Sequence, residues 1–307
     1  MGRLFKAFVF KLTKDVTFKV TLIIGAAVAI FTTLLYLVLN NALNDALKEM
    51  YGEGMDASNI KILSGQGMLL SSFSPVQNYG IAIPVTIIVF TTLEFSQGTI
   101  RNKIIAGHSK FKIYASLYIN GLIYAILLLF TYVGVCTAFG SIFGGFDANG
   151  FAYIGTSGAM VSAAYIIKFV ILAIVTYVSL VSFTIMIVTL FRSVGPCIPI
   201  VLILLFGCYF VPAISNAITS SFMIVDDEST KGVAEIFKLI DGTLKVVDPL
   251  YGISVVQTDS NALSETNPYP IATMDNLTFI GGLISNIFYA GLFFLAGSLV
   301  FRKRDIK

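Results

Sequence analysis

Six separate stretches of this 307-residue chain are long and apolar enough to cross a lipid bilayer, and this constrains its folding more than any other feature. A hydrocarbon core about 30 Å thick is spanned by a helix of about 20 residues. Runs of that kind, bounded by charge, lie at 20–39, about 74–93, 113–139, about 160–191, about 194–211 and 277–301. Without water, every backbone N–H and C=O must find its partner within the chain, so such runs fold as helices. Composition agrees: 56% of residues are hydrophobic, 12% are charged and the mean hydropathy is +0.87, against about 25% charge in a soluble domain. The expected fold class is therefore all-α integral membrane, a single domain with six transmembrane helices over residues 1–307. Pro75, Gln77, Asn78 and Pro84 interrupt the second run, and Pro196, Pro199 and Pro212 mark the fifth as a run that could be broken likewise. Neither interruption forbids spanning where neighbouring helices satisfy the freed backbone groups. The first run follows a basic stretch, as in a signal peptide. It is too long for such a segment and lacks a small-residue cleavage site, so it reads as a helix.

Orientation follows from the connecting segments. Sorted into odd and even sets, one set carries fourteen Lys/Arg, from Arg3 to Lys307, against Asp15, Glu94 and Asp305. The other carries five lysines against fourteen carboxylates, from Asp45 to Asp275. Cytoplasmic loops are the ones rich in Lys and Arg, which places both termini in the cytoplasm of a multi-pass protein of the cell membrane. The chain has 26 Phe and 14 Tyr but no Trp, so an interfacial aromatic belt must be built from Phe and Tyr.

Residues 1–15 place Arg3, Lys6, Lys11 and Lys14 on one helical arc and Leu4, Phe5, Phe8 and Leu12 on the other, the pattern of an interfacial helix at the cytoplasmic surface. Of the outer segments, 40–73 begins with helical spacing, which extends the first helix outward, and then turns polar and glycine-rich. The long extracytoplasmic segment 212–276 carries a stripe of Val233, Ile236, Phe237, Ile240, Leu244 and Val247, stopped by Asp248-Pro249. This reads as a helix lying on the outer membrane face, followed by loop over 254–275. Asn276-Leu277-Thr278 matches a glycosylation acceptor but abuts the last run.

Chemistry is scarce along the chain. Lys168 is the one ionisable residue inside a run; it reads either as a cation snorkelling to the outer boundary or as a substrate-binding contact for an anionic group in an outer cavity. Cys136, Cys197 and Cys208 lie in apolar runs, the last two about 16 Å apart along one helix, and read as packing residues. One histidine and no intramembrane carboxylate leave a proton-coupled carrier or an intramembrane metallohydrolase without its parts, and no metal site is expected. No Gly-x-x-x-x-Gly-Lys-Ser/Thr phosphate cradle is present, so the chain is expected to hold no catalytic residue and no cofactor of its own.

The informative constellation occupies the cytoplasmic segment 94–112. Gly98 and Gly107 can bend the chain, and Ile100, Ile104 and Ile105 can form an apolar ridge while Arg101, Lys103 and Lys110 stay wet, which suits docking into a groove of a soluble partner. The same residues could equally form a solvated, positive-inside turn with Glu94 paired to Arg101 or Lys103.

Glu94, Gly98-Thr99, Arg101-Asn102-Lys103 and Gly107-His108-Ser109-Lys110 resemble the coupling region of type-2 ABC-transporter permeases. The basic amino-terminal segment and the ending Phe301-Arg302-Lys303-Arg304-Asp305-Ile306 agree with that resemblance. The resemblance implies a dimer with a second permease subunit, identical or paralogous, and two ABC ATPase subunits that bind ATP and Mg and dock at the coupling segments. Glu94 and residues 98–110 would transmit ATPase motion to the spans. A Phe-rich, nearly charge-free interior favours amphipathic or hydrophobic cargo, with a peptide or bacteriocin first and a drug or lipid next; no nucleic-acid partner is expected. The alternatives are a non-transporting sensor or immunity scaffold, and a channel or ion-coupled carrier.

Overall fold

The computed structural model describes residues 16–51, 63–75, 80–146, 151–154, 157–224, 228–254, 257–259 and 271–303. The expected interfacial helix at 1–15 and the basic tail beyond Lys303 lie outside the described residues. In chain order the elements are α1 (Val16–Tyr51), α2 (Gly65–Ser72), α3 (Ala82–Ser96), α4 (Thr99–Ile105), α5 (Lys110–Gly144), β1 (Phe151–Ile154), β2 (Ser157–Val161), α6 (Ala163–Phe191), α7 (Val194–Ile224), α8 (Glu228–Val247), α9 (Tyr251–Ser254), β3 (Gln257–Asp259), β4 (Ile271–Thr273) and α10 (Asn276–Lys303). Among the described residues five helices, α1, α5, α6, α7 and α10, are long and apolar enough to cross a membrane, or six crossings if α3 and α4, bent 53° apart, count as one. The chain is a helical, multi-pass membrane protein.

Helix α6 is the centre of the bundle. Of its most apolar 18-residue window 61% is buried, against 22% for α1, α7 and α10, which turn aliphatic faces outward. That division is what an apolar surround requires: the central helix packs on protein all round, and the peripheral ones share their apolar surface with lipid. Small residues set the closest approaches. A Cβ on Gly282 would press on Leu172 of α6, and one on Gly297 would overlap the Tyr114 hydroxyl of α5, so α10 lies tightly against both helices.

The second apolar run, expected to be interrupted at Pro75, Gln77, Asn78 and Pro84, becomes helical only from Ala82. Its described helix is α3 alone; the preceding helix α2 falls in the segment 40–73 that the sequence reading made polar and glycine-rich, and Phe73, Ser74 and Pro75 leave the helical path after α2. The pair follows α5 antiparallel: Gly65 N–H donates to Gly145 O (2.9 Å), Met68 packs on Gly140, Phe73 meets Phe130 edge-on and Phe90 stacks on Tyr124 at 4.8 Å. Pro75 cannot continue a helix, whereas Pro84 sits in the first turn of α3, where its missing N–H has no intrahelical partner to lose. The fifth run behaves oppositely. Helix α7 continues through Pro199 and Pro212 to Ile224, well past residue 211.

Two features of the far side are absent from the sequence reading. Strands β1 and β2 form an antiparallel hairpin, β2 pairs in parallel with β4 (Met160 with Ile271, Val161 with Ala272), and β3 completes the order β1-β2-β4-β3. Part of the expected loop at 254–275 is therefore strand, and α6 begins only at Ala163. Helix α8 carries the expected 233–247 stripe, but the chain beyond it enters the bundle. The helix packs beside α7 and α10, Lys245 and Val246 meet Gly281, and the chain turns at Asp248-Pro249 inside the bundle before Gly252 returns to the level of Leu172 and Thr278. The Pro249 carbonyl there accepts from Asn286 Nδ2 (2.8 Å) and Thr176 Oγ1 (3.3 Å). Asn286 lies ten residues into α10, so the turn reaches about 15 Å below the start of that helix.

Candidate functional site

The coupling segment is built from helix stops and starts. Helix α3 ends at Ser96, and Gly98 follows at φ 69°, in the left-handed region that only glycine enters without cost. Helix α4 then runs for seven residues and ends in a Schellman motif: His108 N–H donates to Lys103 O (3.2 Å) and Gly107 N–H to Ile104 O (2.9 Å), with Gly107 at φ 81°. No atom lies within 4 Å of a Cβ built on Gly98 or Gly107, so conformation and not space requires glycine at both. Ser109 caps α5, its hydroxyl accepting from Lys112 N–H (3.4 Å). Gly98, Gly107 and Ser109 thus set the bend, and the remaining residues supply a surface.

Glu94 and Lys103 form an ion pair across the bend, Nζ to Oε2 at 2.7 Å, with side chains only 11% and 19% exposed respectively. The structure thus places the Glu94–Lys103 pairing that the bland reading of this turn contained. It is more enclosed than a solvated turn, and it fixes α4 to the end of α3. The expected apolar ridge is split: Ile100 is buried, Ile104 packs on the core, and only Ile105, 74% exposed, points away. Arg101, Asn102 and Ile105 are exposed, while Thr99, His108 and Lys110 are half-buried.

Three further contacts at this end were not signalled by sequence. Lys110 Nζ donates to the Arg302 carbonyl at the end of α10 (3.1 Å). Phe95 meets Phe301 edge-on, and Phe301 and Tyr114 pack together with ring centroids 5.9 Å apart. Arg192 closes α6 at φ 55°, its N–H donating to Val188 O (2.7 Å), and its guanidinium lies over the Phe95 ring at 5.7 Å. Among the described residues it alone is left-handed without being glycine. The two-residue link Arg192-Ser193 between long helices was the available signal, because so tight a turn commonly needs a left-handed residue. The ends of α3, α6 and α10 and the start of α5 therefore meet one another, and α4 is joined to this cluster through α3 and α5.

Lys168 sits elsewhere. Its ammonium donates to Met274 O (3.1 Å) and Asn276 Oδ1 (3.2 Å) and lies over Phe279, tying α6 to the start of α10. Those contacts match a snorkelled structural cation better than a substrate contact. The three cysteines are free thiols, with Cys136 and Cys197 buried.

No family model, curated protein or solved structure matches the chain.

Proposed function

We propose that this chain is the membrane subunit of an ATP-driven exporter of the type-2 ABC class, with six crossings and both termini in the cytoplasm. The carrying observation is α4: a short basic helix bent 53° from α3, held by a glycine and a largely buried ion pair, and packed on the end of α3 and the start of α5, which in turn meet the ends of α6 and α10. A solvated loop needs no such anchoring, whereas a lever that receives force from a soluble partner must be both exposed and firmly joined to what it moves. Arg101, Asn102 and Ile105 form the exposed face, and Lys103, His108 and Lys110 flank it. The sixth crossing is then made by α3 with the α2 segment before it and not by the bent α3–α4 pair, which leaves α4 outside the bilayer together with its cations. In this reading the chain acts with a second permease subunit, and two ATPase chains bind ATP and Mg. Amphipathic or hydrophobic cargo fits the apolar surroundings of the bundle.

The test is to co-express the full chain with an ABC ATPase encoded beside it, reconstitute the pair in liposomes, and compare ATP turnover of wild type with an Arg101→Glu/Ile105→Glu variant. Turnover that requires the permease and drops in the variant supports the reading. An intact permease that neither retains nor stimulates any such ATPase favours the sensor or immunity scaffold instead.

A further inference from the structure

Helices α7 and α10 both pack on α6, and α8 bridges them toward its own end of the bundle. Below the last turn of α8 they do not close on each other, and a cleft of about 390 Å³, including the space at its mouth, opens between them. Leu204 and Cys208 of α7 form one wall, Tyr289 and Phe293 of α10 the other, Phe183 of α6 the floor, and Pro249 of the inserted turn the roof. These residues lie near the middle of their helices, so the cleft sits at mid-depth in the bundle.

The lining carries no ionisable side chain other than the Cys208 thiol and the Tyr289 phenol. Its hydroxyls at Thr176 and Ser179 are already engaged: Thr176 donates to Leu172 O and Pro249 O, and Ser179 to Thr176 O and Asn286 Oδ1. What faces the cleft is therefore carbon. Both walls belong to helices whose outward residues are aliphatic, Ile203 at 73% exposure and Ile287 at 63% among them, so the mouth opens to the same apolar surround as the outer faces. Water finds too few polar partners in such a space to be held there.

We infer that this cleft admits the acyl chain of a bilayer lipid, held between Leu204, Phe183 and Phe293, with the headgroup left outside the lining. The inference depends on the membrane-embedded architecture alone and is independent of the ATPase reading.

The absence of Trp from the chain gives a clean reporter. Phe293→Trp places one indole in the cleft, Leu295→Trp one on the outward face of α10, and Phe169→Trp one in the packed interior, where Phe169 is 1% exposed. Each full-length variant is reconstituted in phosphatidylcholine with plain or dibrominated acyl chains, bromine being a contact quencher, and helicity and monodispersity check folding. The cleft Trp is expected to be quenched by brominated chains as strongly as the outward Trp, and to resist aqueous acrylamide. Adding Cys208→Phe to fill the cleft should remove that quenching while leaving the Leu295→Trp signal unchanged. Cleft quenching no greater than that of the Phe169→Trp control, quenching by acrylamide in place of the lipid, or quenching unaltered by Cys208→Phe would each overturn the proposal. If Phe293→Trp fails to fold, Tyr289→Trp reads the same wall against the same controls.

Discussion

Breaking the Glu94–Lys103 pair is the sharpest test of how α4 is held. At 2.7 Å the gross attraction at an effective dielectric near 20 is about 6 kcal/mol, most of which offsets the desolvation of two side chains that are 11% and 19% exposed. Removing one partner leaves the other enclosed without its counter-charge. For fully buried pairs that costs about 3–5 kcal/mol and for exposed pairs about 1 kcal/mol or less, so Lys103→Met or Glu94→Gln should each cost about 2–3 kcal/mol. The double variant removes both charges and should be less stable than wild type by about 1–2 kcal/mol, leaving a coupling energy of about 3–4 kcal/mol. Unfolding of the full chain by SDS titration from mixed micelles measures all four corners of the cycle. Exchange of the charges, Glu94→Lys with Lys103→Glu, should recover part of the loss. Single variants within about 0.5 kcal/mol of wild type, or an additive double variant, would refute the claim that the pair fixes the bend.

Glycine substitutions separate conformation from space. Gly98→Ala is expected to cost about 1–2 kcal/mol through its φ of 69° alone, whereas Gly144→Ala should cost about 1–3 kcal/mol because its Cβ would overlap the Leu63 carbonyl; Gly207→Ala, which meets nothing within 4 Å, should not destabilise, and the same SDS titration reads all three. Lys168→Met should lower stability by about 1 kcal/mol through its two lost hydrogen bonds and, on the exporter proposal, leave permease-dependent ATP turnover unchanged in reconstituted liposomes. Asn286→Ala should cost about 1–2 kcal/mol, because Pro249 O and Ser179 Oγ each lose a partner inside the bundle, and limited proteolysis should then cut more readily around Asp248.

Those residues also mark what sequence could and could not disclose. Long apolar runs announce themselves by length, so α1, α5, α6, α7 and α10 were legible in outline. Their ends were not. Pro212 lies inside α7 and Pro75 outside any helix, and proline alone does not say which, since neighbouring helices decide whether a freed carbonyl is tolerable. The pairing of Met160 with Ile271 joins residues 111 positions apart, beyond any local pattern. For α8 the periodicity was readable and the inward polar contact of its other side was not. Asp241 turns inward to accept from Tyr251 (2.7 Å) while Ile236, Leu239 and Val247 face out, an inversion natural where the surround is apolar. At the basic end, Gly98, Gly107 and Ser109 were visible because turn chemistry is local. The short link at Arg192-Ser193 hinted at a left-handed residue, but the contacts of Arg192 and Phe301 with Phe95 are tertiary and could not be read from spacing.

Helix α10 connects the two ends of this argument. Its Phe301 and Arg302 meet Phe95 and Lys110 beside α4, and fifteen residues earlier Asn286 holds the inserted turn at the cleft, about 22 Å away along the axis. No proline interrupts α10 or α6, and the close approaches at Gly282 and Gly297 lock α10 against its neighbours, so the pair can move as one stiff body. Sites this far apart, sharing no partner, should be additive in stability. If α4 drives the cleft through α10, they should not be additive in ATP turnover. Glu94→Gln combined with Asn286→Ala is therefore expected to sum its stability losses within about 0.5 kcal/mol while its loss of cargo-stimulated turnover stops near that of the worse single variant, because each breaks the same transmission. Additive losses in both measurements would mean that the bend and the cleft work independently, and that α10 is structural support without a coupling role.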